Sequence, residues 1–213
     1  MKSIVIWGIG GHAREVAQLV EDIEAHQPGS WTLKGFLVDK GATTQHPQTL
    51  PAPLLGGVEW WAANPDVWMV VAVGNPKLRQ QISEKLKVAN PRSQFATLVH
   101  PTSRLVKSAK VGNGSVVFAQ SYVSDHVQIG QHASINFACT LNHDTALGDF
   151  VSLGPRVSLC GGVRVDSLCE LGASVTVIPN VRIHSGVRVG AGAVVTRSLA
   201  SGVTAIGVPA RAR

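Results

Sequence analysis

Residues 111–130 read VGNGSVVFAQSYVSDHVQIG. Aliphatic side chains stand six apart at Val111, Val117, Val123 and Ile129. Steps of six toward the amino terminus reach Leu105 and Val99. Toward the carboxyl terminus they reach Ile135, Leu141, Leu147, Leu153, Leu159, Val165, Leu171, Val177, Ile183, Val189 and Val195. These seventeen positions are all aliphatic, and Ser93 and Ser201 close the row at either end. A second row, two residues before each rung from Ser103 to Ala193, holds only small or β-branched residues.

A period of six suits neither a helix nor a hairpin. It is the period of a β-helix in which each hexad makes a short strand and a bend, and three hexads close an 18-residue coil. Both rows then point inward, and strands of successive coils pair about 4.8 Å apart. Glycine often follows the rung, at Gly112, Gly130, Gly148, Gly154, Gly172 and Gly190, with Asn136, Asn142 and Asp166 in the same slot elsewhere. These residue types suggest that a left-handed or sharply turned backbone falls there.

Residues 98–200 resemble the hexapeptide-repeat, left-handed parallel β-helix family, whose coils run against the usual right-handed crossover preference. The resemblance implies a trimer with ligands in grooves between neighbouring prisms.

The coil length makes residues 18 apart vertical neighbours. Asp125, His143, Gly161 and, farther up, Arg197 therefore share one edge. The stretch NHDTALGDF, residues 142–150, places His143 beside Asp144 at a corner of the prism.

The first ninety-seven residues read differently. SIVIW is a buried strand, GIGG a turn, and residues 12–25 an amphipathic helix with Val16, Leu19, Val20 and Ile23 on one face. WTLKGFLVDK is a second strand ending at Asp39, VEWWAAN a short helix, VWMVVAVG a third strand, and NPKLRQQISEKLKVAN opens another helix. The expected fold is an α/β Rossmann-like mononucleotide-binding domain over 1–97, followed by the left-handed β-helix with its tail over 98–213. Gly8, Gly10 and Ala13 match the glycine turn that lets a backbone approach a phosphate at a helix N-terminus. With room for one such half, a single nucleotide fits better than NAD.

Composition narrows the classes. The chain is 45% hydrophobic and 15% charged, with a net charge of +6. The charge is uneven: 1–97 carry nine Lys/Arg and eight Asp/Glu, whereas 98–213 carry ten and five. No dense basic run with interleaved aromatics argues for nucleic acid; a small polyanionic ligand suits the second half better. The run after Lys2 is too short for a secretory h-region, and VWMVVAV at 67–73 is far short of the ~20 residues that cross a bilayer. Cys139, Cys160 and Cys169 form no disulfide framework, so a reducing, cytoplasmic setting without membrane insertion is expected. Cys139 and Cys169 lie in the inward small row and read as core. No zinc spacing occurs. His126, His132, His143 and His184 do not form the three-histidine pattern of a γ-class carbonic anhydrase, so no metal is expected.

GIGGHAREV at a first strand-to-helix turn, VAVGNPKLRQQI at a later one, the hexads and the tail AIGVPARAR together resemble the sialic acid O-acetyltransferase and bacillosamine or perosamine N-acetyltransferase family across essentially the whole chain. The resemblance implies an acetyl-CoA-dependent sugar acetyltransferase, assembled as a homotrimer, that acts on a nucleotide-sugar with no metal. It implies His143 as general base and Asp144 as its support. Stacking leaves Asp125 as an alternative support. Asn136 orients substrate or is a plain turn residue. Gly161, Ser152, Ala173, Ala191 and Arg197 are implied for acetyl-CoA. Gly8, Gly10, Gly11, His12, Asp39, Gly74, Asn75 and Arg79 are implied for the nucleotide-sugar, although Arg79 also reads as a helix-surface charge. Many members carry a second histidine where this chain has Ser152, which leaves that contact in doubt. The N-acetyltransferase reading leads; an O-acetyltransferase and a non-catalytic nucleotide- or carbohydrate-binding scaffold are the alternatives.

Overall fold

The computed structural model describes residues 1–42 and 50–213. The chain divides into two compact units, Met1–Leu98 and Val99–Arg213.

The first unit is built on a five-stranded parallel sheet. Its elements are β1 (Lys2–Trp7), α1 (Gly11–His26), β2 (Trp31–Leu37), β3 (Leu54–Gly56), α2 (Val58–Ala63), β4 (Trp68–Val71), α3 (Pro76–Ala89) and β5 (Gln94–Phe95). The strand order is β3-β2-β1-β4-β5, so the order reverses between β1 and β4. Ile4, Val5 and Ile6 are fully buried, as expected for a central parallel strand covered on both faces. Val16, Leu19, Val20 and Ile23 form the buried face of α1. Sequence reading expects three strands here; the sheet has two more, β3 and β5, of three and two residues. Runs that short carry no periodicity to detect.

The second unit is a three-sided prism. Face I carries six strands, from Arg104–Leu105 to Val194–Val195. Face II carries five, from Lys110–Val111 to Arg182–Ile183. Face III carries eight, starting at Leu98–Val99. Pairing is parallel, and residues 18 apart are partners: Leu105 with Val123, Val123 with Leu141, Leu141 with Leu159. Every rung from Val117 to Val195 is buried, and each such side chain contributes about 1.5–3 kcal/mol.

The small row has a polar logic as well as a steric one. Ser115, Ser121 and Thr145 are buried, and each donates its hydroxyl proton to a carbonyl fifteen residues on, at Gly130, Asn136 and Cys160. Cys139 and Cys169 do the same through Sγ, to Gly154 and His184. No buried hydroxyl in this row is left to incur a desolvation cost.

The left-handed corner does not fall on the glycines after the rungs. It falls three residues past each rung, mostly on non-glycine residues: Gln120, His126, His132, Ala138, Asp144, Phe150, Arg156, Leu168, Ser174 and Asn180 all have φ between 53° and 65°. Each such residue sits at a strained backbone position worth roughly 1–2 kcal/mol. A regular hydrogen bond offsets the strain: in eight of them the N–H reaches the carbonyl nineteen residues earlier, as from Asp144 to Asp125 at 3.0 Å, and the Gln120 and His126 N–H groups donate to the Thr102 and Ser108 hydroxyls instead. The glycines after the rungs serve another purpose. A Cβ on Gly130 would lie 2.5 Å from the Gly148 carbonyl carbon, and one on Gly112 equally close to Gly130. They are small because coils stack too closely there for any side chain.

The repeat ends with a contraction. Val194–Val195 still pair with Thr176–Val177, but Leu199 bridges Ile183, and Thr204 pairs with Arg188, both offset by sixteen. Thr204–Ile206 then turn back on Arg211–Ala212 as an antiparallel cap.

Candidate active site

The edge between faces I and II brings His143, Asp144 and Gly161 together. His143 Nδ1 lies 2.8 Å from Asp144 Oδ2. A Cβ built on Gly161 would meet the His143 Cε1 and Nε2 atoms at 2.5 Å, so the imidazole lies close against the bare Gly161 backbone. The backbone fixes the pair from both sides: the Asp144 N–H is tied to the coil below, and the His143 carbonyl accepts from the coil above. Both side chains remain about two-thirds exposed, which leaves Nε2 open to a ligand. The Gly161 N–H has no acceptor among the described residues. Such an arrangement can take a proton at Nε2, hold the resulting imidazolium against a carboxylate, and offer an N–H one coil above to a developing oxyanion.

Asp125, the alternative support, is otherwise engaged. Its carboxylate accepts from the Ser108 hydroxyl and faces His126 Nε2 at 3.5 Å. The carboxylate against His143 is Asp144.

Of the remaining expected residues of this unit, Arg197 shares the His143 edge and the others fall elsewhere on the prism. Asn136 ends a face III strand, and its Oδ1 accepts from the Phe137 N–H at 2.8 Å, a turn-forming role. Ser152 points outward from face III, in the column of Ser134 and Glu170. Ala173 and Ala191 occupy the edge between faces III and I, where Ala191 is exposed and Ala173 half-buried. Arg197 is exposed on the His143 edge, but its corner is two residues shorter than those below. The direct column over His143 therefore holds through Pro179 and is altered at Arg197. Cys139 and Cys169 are buried, and desolvation pushes both thiols up to about 11. They are poor nucleophiles. Cys160, beside Gly161, is half-buried.

In the first unit, the glycine turn and the β4–α3 turn flank the point where strand order reverses, which is where open parallel sheets bind ligands. Gly8 has φ 125°, and a Cβ there would lie 2.9 Å from the Ala72 carbonyl oxygen, so this position requires glycine. Gly10 and Gly11 have open space over their Cα atoms apart from the Arg14 guanidinium, 3.9 Å from a Cβ on Gly11. No side chain caps the start of α1. His12 Nδ1 lies 3.3 Å from Glu15. Asn75 caps α3 by accepting from the Leu78 N–H.

Arg79 is not a surface charge. It is 2% exposed and donates to the carbonyls of Val73 and Gly74 at 2.6 and 3.0 Å, bracing the turn from within. Asp39 is paired with Lys85 of α3, which also stands 5.0 Å over the Trp7 ring. Sequence reading misses Arg14 and Lys85: Lys85 lies 46 residues from its partner, and Arg14 sits among ordinary helix residues.

Residues 3–86 match the PglD N-terminal domain model. The whole chain superimposes on PerB of Caulobacter crescentus, solved in complex with CoA and GDP-perosamine, with TM-score 0.86 and 31% identity over 100% of this chain and 98% of that one. The chain belongs to the perosamine and bacillosamine N-acetyltransferase family. Another member, the acetyltransferase domain of PglB from Neisseria gonorrhoeae in complex with acetyl coenzyme A, matches with TM-score 0.85 and 28% identity over 100% and 99% of the two chains. UDP-N-acetylbacillosamine N-acetyltransferase of Bacillus subtilis is 34% identical over 130 residues, 56% of this chain and 52% of that protein. The chain thus spans about half the length of the curated relatives it matches. The family's left-handed β-helix is the prism described above. Among the described residues no group of His, Cys, Asp and Glu is placed to hold a metal, and no helix is long and apolar enough to cross a membrane.

Proposed function

We propose that this chain is an acetyl-CoA-dependent N-acetyltransferase acting on the amino group of a nucleotide-linked sugar. The observation that carries the reading is His143, held between the Asp144 carboxylate at 2.8 Å and the bare Gly161 backbone. The relatives support the substrate class: PerB was solved with CoA and GDP-perosamine, and the Bacillus subtilis relative is a UDP-N-acetylbacillosamine N-acetyltransferase.

The neutral sugar amine attacks the thioester carbonyl carbon directly. Nε2 of His143 takes the amine proton as the C–N bond forms. Asp144 at Nδ1 holds the tautomer that leaves Nε2 basic, and steadies the imidazolium. The Gly161 N–H stabilises the oxyanion. The tetrahedral adduct then expels the CoA thiolate, which accepts the proton held on His143. Serine at 152 removes a second imidazole from the site but leaves the base in place.

The site is completed by a second copy of the chain. His143, Asp144, Gly161 and Arg197 lie on one edge of the prism, whereas Asn136, Ser152, Ala173 and Ala191 lie on face III and the opposite edge. One prism cannot bring these two sets around one ligand. A neighbour presenting its face III to the His143 edge can. The outward row of face I suits burial in such a contact, because above Arg104 it reads Tyr122, Thr140, Ser158, Thr176 and Val194 without a charge. Phe137 and Tyr122 are exposed aromatics at that side. A head-to-tail contact of this kind closes as a ring, here a homotrimer. Three cysteines with no disulfide suit a reducing cytoplasm.

The test is His143→Ala. We expect kcat/KM for acetyl transfer to fall by ~10² or more, with acetyl-CoA affinity and oligomeric mass unchanged. Near-normal turnover would discard the mechanism.

A further inference from the structure

A cavity of about 330 Å³ opens past the end of β2, against β3 and the start of α2. Val38, Ala42 and Leu54 give it apolar surface, with Leu54 55% exposed, and Lys40 also lines it. Two carboxylates, Asp39 and Glu59, stand at its rim. They are not equivalent. Lys85 reaches across from α3 to pair with Asp39 and rests over Trp7, so the charge of Asp39 is compensated. Glu59 has no cation paired with it among the described residues. Its side chain is solvent-exposed in the first turn of α2. It folds back over the turn, so that a Cβ on Gly57 would meet Glu59 Oε2 at 3.3 Å and the Val38 carbonyl oxygen at 3.0 Å. Glycine at 57 leaves room for that carboxylate above the cavity.

We infer that this cavity takes the nucleobase of the nucleotide-sugar acceptor and that Glu59 makes it select guanine over a pyrimidine. The inference rests on the nucleotide-sugar reading above. A planar base can lie on the Leu54 and Val38 surface with its edge toward the rim. An ionised carboxylate only accepts hydrogen bonds, so it selects an edge rich in donors. Guanine presents N1–H and an N2 amino group side by side, which match the two oxygens of one carboxylate in a bidentate, charge-assisted pair. Uracil and thymine present a single N–H between two carbonyl oxygens, and those oxygens face the negative charge unfavourably. A site built to accept from a base donor also penalises an analogue that lacks it.

The experiment is a binding series on the full-length protein with GDP, inosine diphosphate, UDP and dTDP, read by calorimetry, with acetyl-CoA as a separate arm. The expected result is GDP binding at least ~10-fold tighter than UDP or dTDP, with inosine diphosphate, which lacks the N2 donor, in between. Glu59→Gln should weaken GDP by ~10-fold and leave UDP bound as tightly or more tightly, because its carbonyl oxygens no longer face a charge. Inosine diphosphate tests the same contact in the unaltered protein, so the result does not depend on the variant. UDP binding as tightly as GDP, or Glu59→Gln leaving GDP unaffected, would overturn the base assignment while sparing the nucleotide-sugar reading. No nucleotide binding, with acetyl-CoA still bound, would overturn both.

Discussion

Gly161→Ala separates the chemistry of this edge from its folding. The added methyl carbon would sit 2.5 Å from two atoms of the His143 ring. An ordinary contact is about 3.5 Å, so the imidazole must retreat by about 1 Å. The obstructing atoms are the far end of an exposed side chain, and Gly161 is not among the residues with left-handed φ. The backbone therefore tolerates alanine, and we expect a stability change within about 0.5 kcal/mol. Turnover should respond differently. A displacement of about 1 Å in a base costs on the order of 10²-fold, and the alanine retains the N–H that holds the oxyanion. The loss should therefore appear in kcat more than in acetyl-CoA binding. The contrast is Gly130→Ala, two coils lower on a different face, where a Cβ would meet the Gly148 carbonyl carbon at 2.5 Å. Backbone cannot swing aside, so this variant should lose several kcal/mol while the folded fraction keeps its specific activity. The assay is release of free CoA thiol with a sugar acceptor, alongside urea unfolding of each variant. If Gly161→Ala retains activity within about threefold of the parent, the imidazole does not work from the position described here.

The other predictions concern the core and the turns. Cys139 ionises near 9.0 when unfolded and at about 11 when folded, so its burial stabilises the thiol form below pH 9 and that contribution is lost as the pH rises toward 11. Cys139→Ser keeps a donor to Gly154 without ionising, as Ser115 and Ser121 do in the same row, so its melting temperature should fall less than the parent's between pH 9 and 11; parallel decline would refute the account. Arg79→Lys cannot satisfy the Val73 and Gly74 carbonyls with a planar fork, and should destabilise the protein by about 1–3 kcal/mol while weakening nucleotide binding; calorimetry reads both. An unchanged melting temperature would show that the brace is dispensable.

How much of this was legible depended on where each feature is encoded. The rungs announced themselves because every inward position obeys one constraint, and a single charged residue would have broken the row. The 18-residue stacking that sets His143 under Gly161 followed from the same count. The corner conformation is not legible in the residue types. Glycine after the rung reads as a backbone signal but is a spacing signal, and Ala138, Phe150 and Leu168 reveal nothing of their left-handed φ because the inter-coil hydrogen bond, not the residue type, maintains it. The contraction near Arg197 was half visible: Ser201 marked the end of the repeat, but which corner absorbs the two missing residues depends on pairing. The choice between Asp125 and Asp144 likewise rested on a hydroxyl, Ser108, that no pattern singled out. Arg79 was ambiguous because a buried arginine and a surface arginine look alike on a helix.

The two units divide the demands of the proposed reaction in a way that explains their different construction. In a solenoid each coil touches only its neighbours, so the relation between His143, Asp144 and Gly161 is set by the coils containing Asp125, His143 and Gly161 and is insensitive to what lies farther along the prism. That suits chemistry that stays the same for every acceptor: a proton to remove, an oxyanion to hold, a thioester to place. Choice of nucleotide needs the opposite, a surface whose side chains can change without disturbing a repeat. The rim beyond β2 supplies it, since Asp39 lies past that strand, Leu54 is exposed at the start of β3 and Glu59 is exposed in the first turn of α2. A change of nucleotide preference within this fold should therefore arise from substitutions at those few rim positions, with the rungs and the His143 corner left as they are.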